Sequence, residues 1–538
     1  MKGLGLVAVA LLAVGCGRAE PPSPAPSADP WEAERLLGEV SGARASFYEH
    51  LQGGVDHPVG PGFAGDDFTA RRGARTEAAA GGTRAAWTGP SSPVGGEEFQ
   101  RALREWRAGW GALDDRDVHT WEVEATAAGV ALLDHVRLFG TTPDGRRRED
   151  RLHLDLTWER ASTDWALTRV SVREAWTQTA PTGGFMDVTD RVLPPGYDQS
   201  GAQMYTDAGP ALADADGDGD IDLFLPRMHA PARLYLNDGG FFEDTTERAG
   251  LALATLGEGT NAALFLDQDR DGDLDLVVGD QDVGLHLFLR DDGRYRPHPA
   301  SPFGGAAPWE SLAAADYDGD GALDVFACAY GLIDADHQPD SYVDANDGAP
   351  NLLLRNAGES GFEDATEAAG LSPYARRWSY SAAWADYDRD GDQDLYVAND
   401  YGPNHLLRND AGRFVDVAEQ AGAEDRGNGM SVAWFDADGD GLLDLYVSNM
   451  QSFAGNRLTR SRDFPGTPEE VATYRRFAQG NTLLRARGDG TFEDITVASG
   501  AKPAYWAWGA VPFDHDSDGD QDLLCVTGMY TGPTSGDT

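Results

Sequence analysis

A nine-residue pattern, D-x-D-x-D-G-x-x-D followed by Leu or Val, occurs six times and limits what this chain can fold into. The copies begin at Asp214, Asp267, Asp316, Asp386, Asp436 and Asp514. They recur at a spacing of roughly fifty residues, stretched in two places, and such a period marks an array of supersecondary units. A second signature, F-x-D-x-T with variants, starts at Phe185, Phe242, Tyr295, Phe362, Phe414 and Phe492, ahead of each loop. Apolar runs flanked by Asn, such as 351–356 and 404–409, lie between the two signatures.

One unit reads as strand, acidic loop, strand, strand, turn, strand. Around the second loop the strands are expected at 263–267, 274–279, 285–290 and 294–298. A sheet of four short antiparallel strands cannot bury both faces alone, so neighbouring sheets must stack radially as blades of a β-propeller. Six blades are expected, with seven as the alternative. The sixth copy stops after its second strand, 522–527, and Phe185–Val188 is available as an outer strand for it.

The loops carry the chemistry. Adjacent carboxylates repel unless something neutralises them. Calcium takes six to eight oxygens in a flexible geometry. Positions 1, 3, 5 and 9 supply carboxylates, and position 7 a backbone carbonyl, because its side chain varies. The expected ligand sets are Asp214, Asp216, Asp218, Asp220 and Asp222; Asp267, Asp269, Asp271, Asp273 and Asp275; and Asp316, Asp318, Asp320, Ala322 and Asp324. The remaining sets are Asp386, Asp388, Asp390, Asp392 and Asp394; Asp436, Asp438, Asp440, Leu442 and Asp444; and Asp514, Asp516, Asp518, Asp520 and Asp522. Position 6 is Gly in every copy, as a loop wrapped tightly round an ion requires. Magnesium prefers fewer protein ligands, and zinc wants His or Cys. Plain acidic turns need one or two Asp, not four in fixed register. About six structural Ca²⁺ are therefore expected.

The chain has 538 residues and 41% hydrophobic residues, enough for a buried core. Its 90 Asp and Glu outweigh 43 Lys and Arg, a formal charge of −47. That balance excludes nucleic acid and anionic lipid as electrostatically driven partners. Three cysteines exclude a disulfide-rich scaffold. Cys328 and Cys525 follow the third and sixth loops and are expected to be buried thiols in separate repeats.

Residues 1–15 read as a signal peptide: a short charged start and an apolar stretch too short to span a bilayer. The run Leu12-Ala13-Val14-Gly15-Cys16 resembles a bacterial lipoprotein signal, with Ala13 where that pattern usually has Leu. The resemblance implies a lipidated Cys16, then a Pro-rich tether over 16–30. The implied address is the bacterial cell envelope, at the outer membrane or cell surface, with plain secretion as the alternative. The lipid would be the only membrane contact.

A small α+β domain is expected over 31–178, ahead of the repeat domain over 181–538. Leu36, Leu37, Val40, Phe47 and Leu51 recur at helical steps, as do Phe99, Leu103, Trp106 and Trp110. The period then changes to two, with strands near 121–125, 130–139, 152–158 and 165–172. Helices followed by long antiparallel strands resemble a SnoaL-type cone. His50, His57, His119, His135 and His153 lie in this half, without ligand or catalytic spacing, and no chemistry is assigned to them.

The repeats resemble FG-GAP/VCBS repeats, the calcium-loop propeller type also found in integrin α-chain heads. Residues 399–404 (NDYGPN) and 506–509 resemble the cartilage acidic protein family in particular. Family members often carry a further C-terminal ASPIC/UnbV segment, and this chain ends at Thr538 without one. The resemblance implies a non-enzymatic binding or scaffold protein. The alternative is a carbohydrate-recognising or carbohydrate-active propeller, lectin-like or polysaccharide-lyase-like. The ligand, protein or glycan, is not legible. Trp384 and Trp434 read as core, whereas Trp378, Tyr401 and Tyr530 remain as contacts. The third and fifth repeats carry inserts before their third strands, so both emerge on one rim. Tyr330, Tyr342, Asp344, Asn399, Asp400, Tyr401, Asn449 and Arg457 are the expected partner-binding residues there.

Overall fold

The computed structural model describes residues 9–10, 30–53, 93–161, 164–180 and 209–527, apart from 229, 252–255, 257–258, 332–338, 461–463, 503–505 and 516–518. Residues 59, 63–66, 75–79, 82–86 and 192–193 are also described. Cys16, His57, Phe185–Val188 and Tyr530 lie outside the described residues. No described helix is long and apolar enough to cross a membrane. The chain divides into two compact units.

The first unit holds helices α1 (Pro30–Gly53) and α2 (Gly96–Arg107) and four long strands. The strands are β1 (Ala112–Ala125), β2 (Gly129–Thr141), β3 (Arg147–Arg160) and β4 (Trp165–Ala180), antiparallel and adjacent in that order. The short strands Gly82–Ala86 and Arg75–Ala79 continue the sheet beyond β4. Alternation along β3 sends Leu152, Leu154, Leu156 and Trp158 into a core with Leu36, Val40 and Phe47 of α1 and Phe99 and Trp106 of α2. Trp110 lies past the end of α2 yet is buried in the same core. Asp134 within it accepts hydrogen bonds from Arg44 Nε at 2.7 Å, the Tyr48 hydroxyl at 2.7 Å and the Thr120 hydroxyl at 2.8 Å.

Segment Ser452–Ala478, the insert of the fifth repeat, belongs to this unit and not to the repeats among which it lies in sequence. Its helix Phe453–Leu458 stacks Phe453 on His119, ring centroids 4.2 Å apart. Arg457 grips Glu34 through two hydrogen bonds, at 2.8 and 3.0 Å, and donates to the Thr120 carbonyl. A bidentate guanidinium–carboxylate pair of this kind holds both position and orientation.

Three of the five histidines left without a role in the sequence reading line up here. His119, His135 and His153 are direct cross-strand partners on β1, β2 and β3. Trp121 lies over both His135 and His153, at 4.7 and 4.6 Å between ring centroids. Both ring nitrogens of His135 are shielded from solvent and make no hydrogen bond. Burial, then the charges of His153, Arg151 and Arg137, hold His135 well below the ordinary imidazole value, and burial lowers His153. A histidine whose folded value is depressed binds its proton in the unfolded chain first. Its stabilising contribution is therefore complete above about pH 6.5 and is lost as pH falls below that. Hydrogen exchange over 112–160, corrected for intrinsic rates, should lose protection between pH 7 and pH 5.5, and His135→Phe should flatten the change. Equal protection at both pH values would contradict this.

The second unit is a β-propeller built from the acidic repeats. In the second repeat the strands are Thr260–Leu266, Asp275–Asp280, Gly284–Asp291 and Arg294–Pro297, hydrogen-bonded in sequence order. The first, third, fourth and fifth repeats repeat this four-strand order. The sixth sheet pairs Ala507–Phe513 with Asp522–Thr527, and Val9–Ala10 pairs with the outer edge of the latter. The cores lie between consecutive sheets, not within them. Val277, Leu285 and Leu287 of the second pack against Trp309, Val325 and Leu352 of the third. Phe326 and Leu353 of the third pack in turn against Leu395 and Leu407 of the fourth. That is why the second strands of the second to fifth repeats, such as Asp275–Asp280, are buried on both faces. Trp384 and Trp434 donate indole N–H bonds to the carbonyls of Ala313 and Ala383 on the preceding inner strands, which fixes them as packing residues. Cys328 and Cys525 are buried free thiols.

Candidate metal centres in the acidic loops

Each acidic loop is the connection from an innermost strand to the second strand, so all lie on one rim. The Asp at position 1 accepts the N–H of the position 6 Gly in all six loops, from 2.8 Å at Asp316–Gly321 to 3.1 Å at Asp267–Gly272. That closure needs positive φ at position 6, as at Gly219 (99°) and Gly391 (100°). Position 4 is left-handed as well, at Gly217, Gly319 and Gly439 but also at Arg270 and Arg389, both φ 63°. The sequence reading missed this second constraint. Arg270 reaches the next loop and donates to Asp320 Oδ1 at 3.3 Å.

Position 9 anchors the blade. Asp275 Oδ2 accepts the Gln268 N–H at 2.9 Å, and Oδ1 accepts the Arg290 N–H of the third strand at 2.7 Å. Asp222, Asp324, Asp394 and Asp444 make the same two bonds, and Asp522 makes the first. Burial pushes Asp275 up to about 6 and Asp324 and Asp394 up to about 7. Asp216, Asp269 and Asp388 at position 3 are also raised, by burial and then by the neighbouring carboxylates.

At position 7 the backbone N–H donates to the position 5 carboxylate, at 2.9 Å for Leu442 to Asp440 and 2.8 Å for Ala322 to Asp320. The Asp side chains found there serve elsewhere. Asp220 and Asp392 accept the N–H of Gly239 and Ala411 in the turn between the third and fourth strands, and Asp273 pairs with Arg290. The F-x-D-x-T signature has its own explanation. Thr246, Thr366 and Thr496 each accept the N–H of a third-strand Leu, while the Asp two residues earlier accepts the Thr N–H.

The carboxylates converge as the spacing predicts. Ligand oxygens lie within 4.8 Å of one another in Asp214/Asp216/Asp218, Asp267/Asp269/Asp271, Asp316/Asp318/Asp320, Asp386/Asp388/Asp394 and Asp436/Asp438/Asp444. Asp516 and Asp518 of the sixth loop lie outside the described residues. Oδ1 of Asp316 and Oδ1 of Asp386 are buried and make no hydrogen bond. A buried carboxylate oxygen with no donor, beside two further carboxylates, fits a hard divalent cation that takes only oxygen. These loops can bind calcium.

The expected partner face is corrected in part. Tyr330, Asn399, Asp400 and Asn449 are buried, and the side chain of Arg457 is largely covered. They are consumed in holding strands and inserts: Tyr330 donates to Asp400 at 2.6 Å, Asn399 Nδ2 to the Pro403 carbonyl and Asn449 Nδ2 to Asp425. Trp378, kept open as a contact, is buried too and donates to Asp347 at 2.9 Å. Tyr342 and Asp344 stay exposed, and Tyr401 is half-buried.

The FG-GAP-like repeat model matches residues 214–278, 267–327, 333–397, 386–447 and 466–525. Mouse cartilage acidic protein 1 is 25% identical over 405 residues, covering 64% of this chain and 60% of that protein. The Xenopus tropicalis protein of the same name is 27% identical over 274 residues, 45% of this chain and 39% of its own length. The chain thus spans under two thirds of these relatives. Among solved structures, the V. cholerae biofilm matrix protein Bap1 is similar at 16% identity, with 54% of this chain and 39% of that chain covered and a TM-score of 0.29.

Two substitutions should separate anchoring from ion binding. Asp394→Ala strips the acceptor from two backbone N–H groups and should cost on the order of 3 kcal/mol even in chelator, and more in calcium because Asp394 is also one of the converging carboxylates. Asp388→Asn keeps the fold's hydrogen bonds and should lower stability only when calcium is present. Denaturant unfolding of both variants under both conditions reads the difference.

Proposed function

Because the chain belongs to the FG-GAP-like repeat family, we propose that it is a calcium-stabilised propeller that presents a binding surface and catalyses no reaction. The observation behind this reading is repetition. The same converging carboxylates recur in consecutive repeats, and a device copied into every blade serves the scaffold, whereas a catalytic constellation is assembled once. Each bound Ca²⁺ would offset the repulsion among carboxylates that the fold forces together. The role as a ligand-capturing scaffold, with a protein or glycan partner, is part of the proposal.

The proposed location is the bacterial envelope. The apolar stretch ending at Cys16 supports a lipid anchor, and the Pro-rich tether after it would hold the folded units away from the membrane. Nucleic acid is not a proposed partner, given the charge of −47.

Ions that bind only the folded state stabilise it by mass action. The melting temperature should fall in chelator, recover with calcium and recover much less with magnesium. Detergent phase partitioning tests the anchor: the wild-type protein should enter the detergent phase and Cys16→Ser should not. Wild-type protein found wholly in the aqueous phase would refute the anchor and leave the calcium reading standing.

A further inference from the structure

A feature outside the metal loops repeats with equal regularity. The innermost strands of five consecutive sheets each carry a register shift at the end opposite the acidic loop. The extra residue is Asn261, Glu310, Tyr380, Met430 and Trp508 in turn, each six places before the first Asp of its loop. A bulge rotates one side chain out of the alternation and re-aims it, and bulges are frequent beside binding sites. These bulges lie at one mouth of the propeller, at the ends of the innermost strands and on the rim opposite the acidic loops.

Four of the five re-aimed side chains meet in two pairs. Asn261 Nδ2 donates to Glu310 Oε2 at 2.6 Å, joining the second and third sheets. Tyr380 of the fourth sheet lies 6.1 Å from Trp508 of the sixth, ring centroid to ring centroid. That contact passes over the fifth sheet, whose Met430 is buried. Tyr380 and Trp508 are both half-buried, with Trp506 at 6.1 Å from Trp508 extending the aromatic side. Oδ1 of Asn261 is buried and makes no hydrogen bond. A neutral amide oxygen in that state calls for an O–H or N–H donor, not a bare ion.

We propose that this mouth binds a sugar unit of a neutral polysaccharide. The aromatic rings would take the C–H face of the pyranose, and Glu310 with Asn261 would accept hydrogen bonds from its hydroxyls. Pockets of this type combine apolar aromatic walls with a few placed polar groups. An anionic polymer is disfavoured by Glu310 and by the charge of −47. The proposal rests on reading the chain as a binding scaffold and specifies what it binds.

The test uses the full chain with calcium present and soluble cellohexaose, laminarihexaose and mannohexaose as probes in calorimetric titration. At least one should bind, and Trp508→Ala and Glu310→Gln should each weaken that binding tenfold or more, while Val497→Ala, at an exposed outer position, leaves it unchanged. Unchanged melting temperatures in calcium confirm that the variants fold. Three results would overturn the proposal: no binding of any of the three sugars, binding indifferent to both substitutions, or a site that takes tetramethylammonium in preference to them. None of these would touch the calcium-dependent stability, so the two readings fail separately.

Discussion

In five blades one buried carboxylate is tied to two stretches of backbone at once. The Asp at position 9 accepts an N–H from the start of its own loop and, in five repeats, another from the third strand. Without it the loop could not fold back on the second strand, and the third strand would lose its register. Placing that carboxylate in a poorly hydrated site near two others is electrostatically costly, as the raised values of Asp275, Asp324 and Asp394 record. The fold thus creates a demand for positive charge at the same point in every repeat. A calcium ion would meet it with the oxygens already assembled.

Radial stacking follows from the same unit. Because a blade's second strand is apolar on both faces, each sheet needs a neighbour on either side, and the cores form between sheets. The loops are also linked directly to one another. Asn356 donates to the Gln268 carbonyl of the preceding repeat, and Asn409 to that of Tyr317. One rim therefore carries the carboxylate clusters and the links between repeats. The opposite rim carries the bulges of the innermost strands.

Much of this was legible because it rests on local pattern. The acidic loops, the Gly at position 6, the strand order and the long strands of the first unit follow from spacing and periodicity alone. What was not legible depends on contacts distant in sequence. Nothing near Arg457 announces that its partner is Glu34, or that the insert of a late repeat joins the N-terminal unit. Asn399 and Asn449 look like exposed polar residues in a list, yet they are buried because strand ends need side-chain partners for backbone groups. The left-handed Arg270 and Arg389 hide a backbone constraint that Gly shows plainly in the other loops. The bulge residues share a position but no residue type, so no motif marks them. The histidine row could have been found by aligning β1, β2 and β3 in antiparallel register.

The account stands on the loops holding ions in the folded state. The direct measurement is metal content and native mass of the purified full chain, before and after dialysis against a calcium chelator and again after calcium is returned. The account predicts about six calcium ions per chain, one per acidic loop, lost together with compactness in chelator and regained with it. A chain that carries no calcium at millimolar free ion, and stays equally compact in chelator, would contradict it.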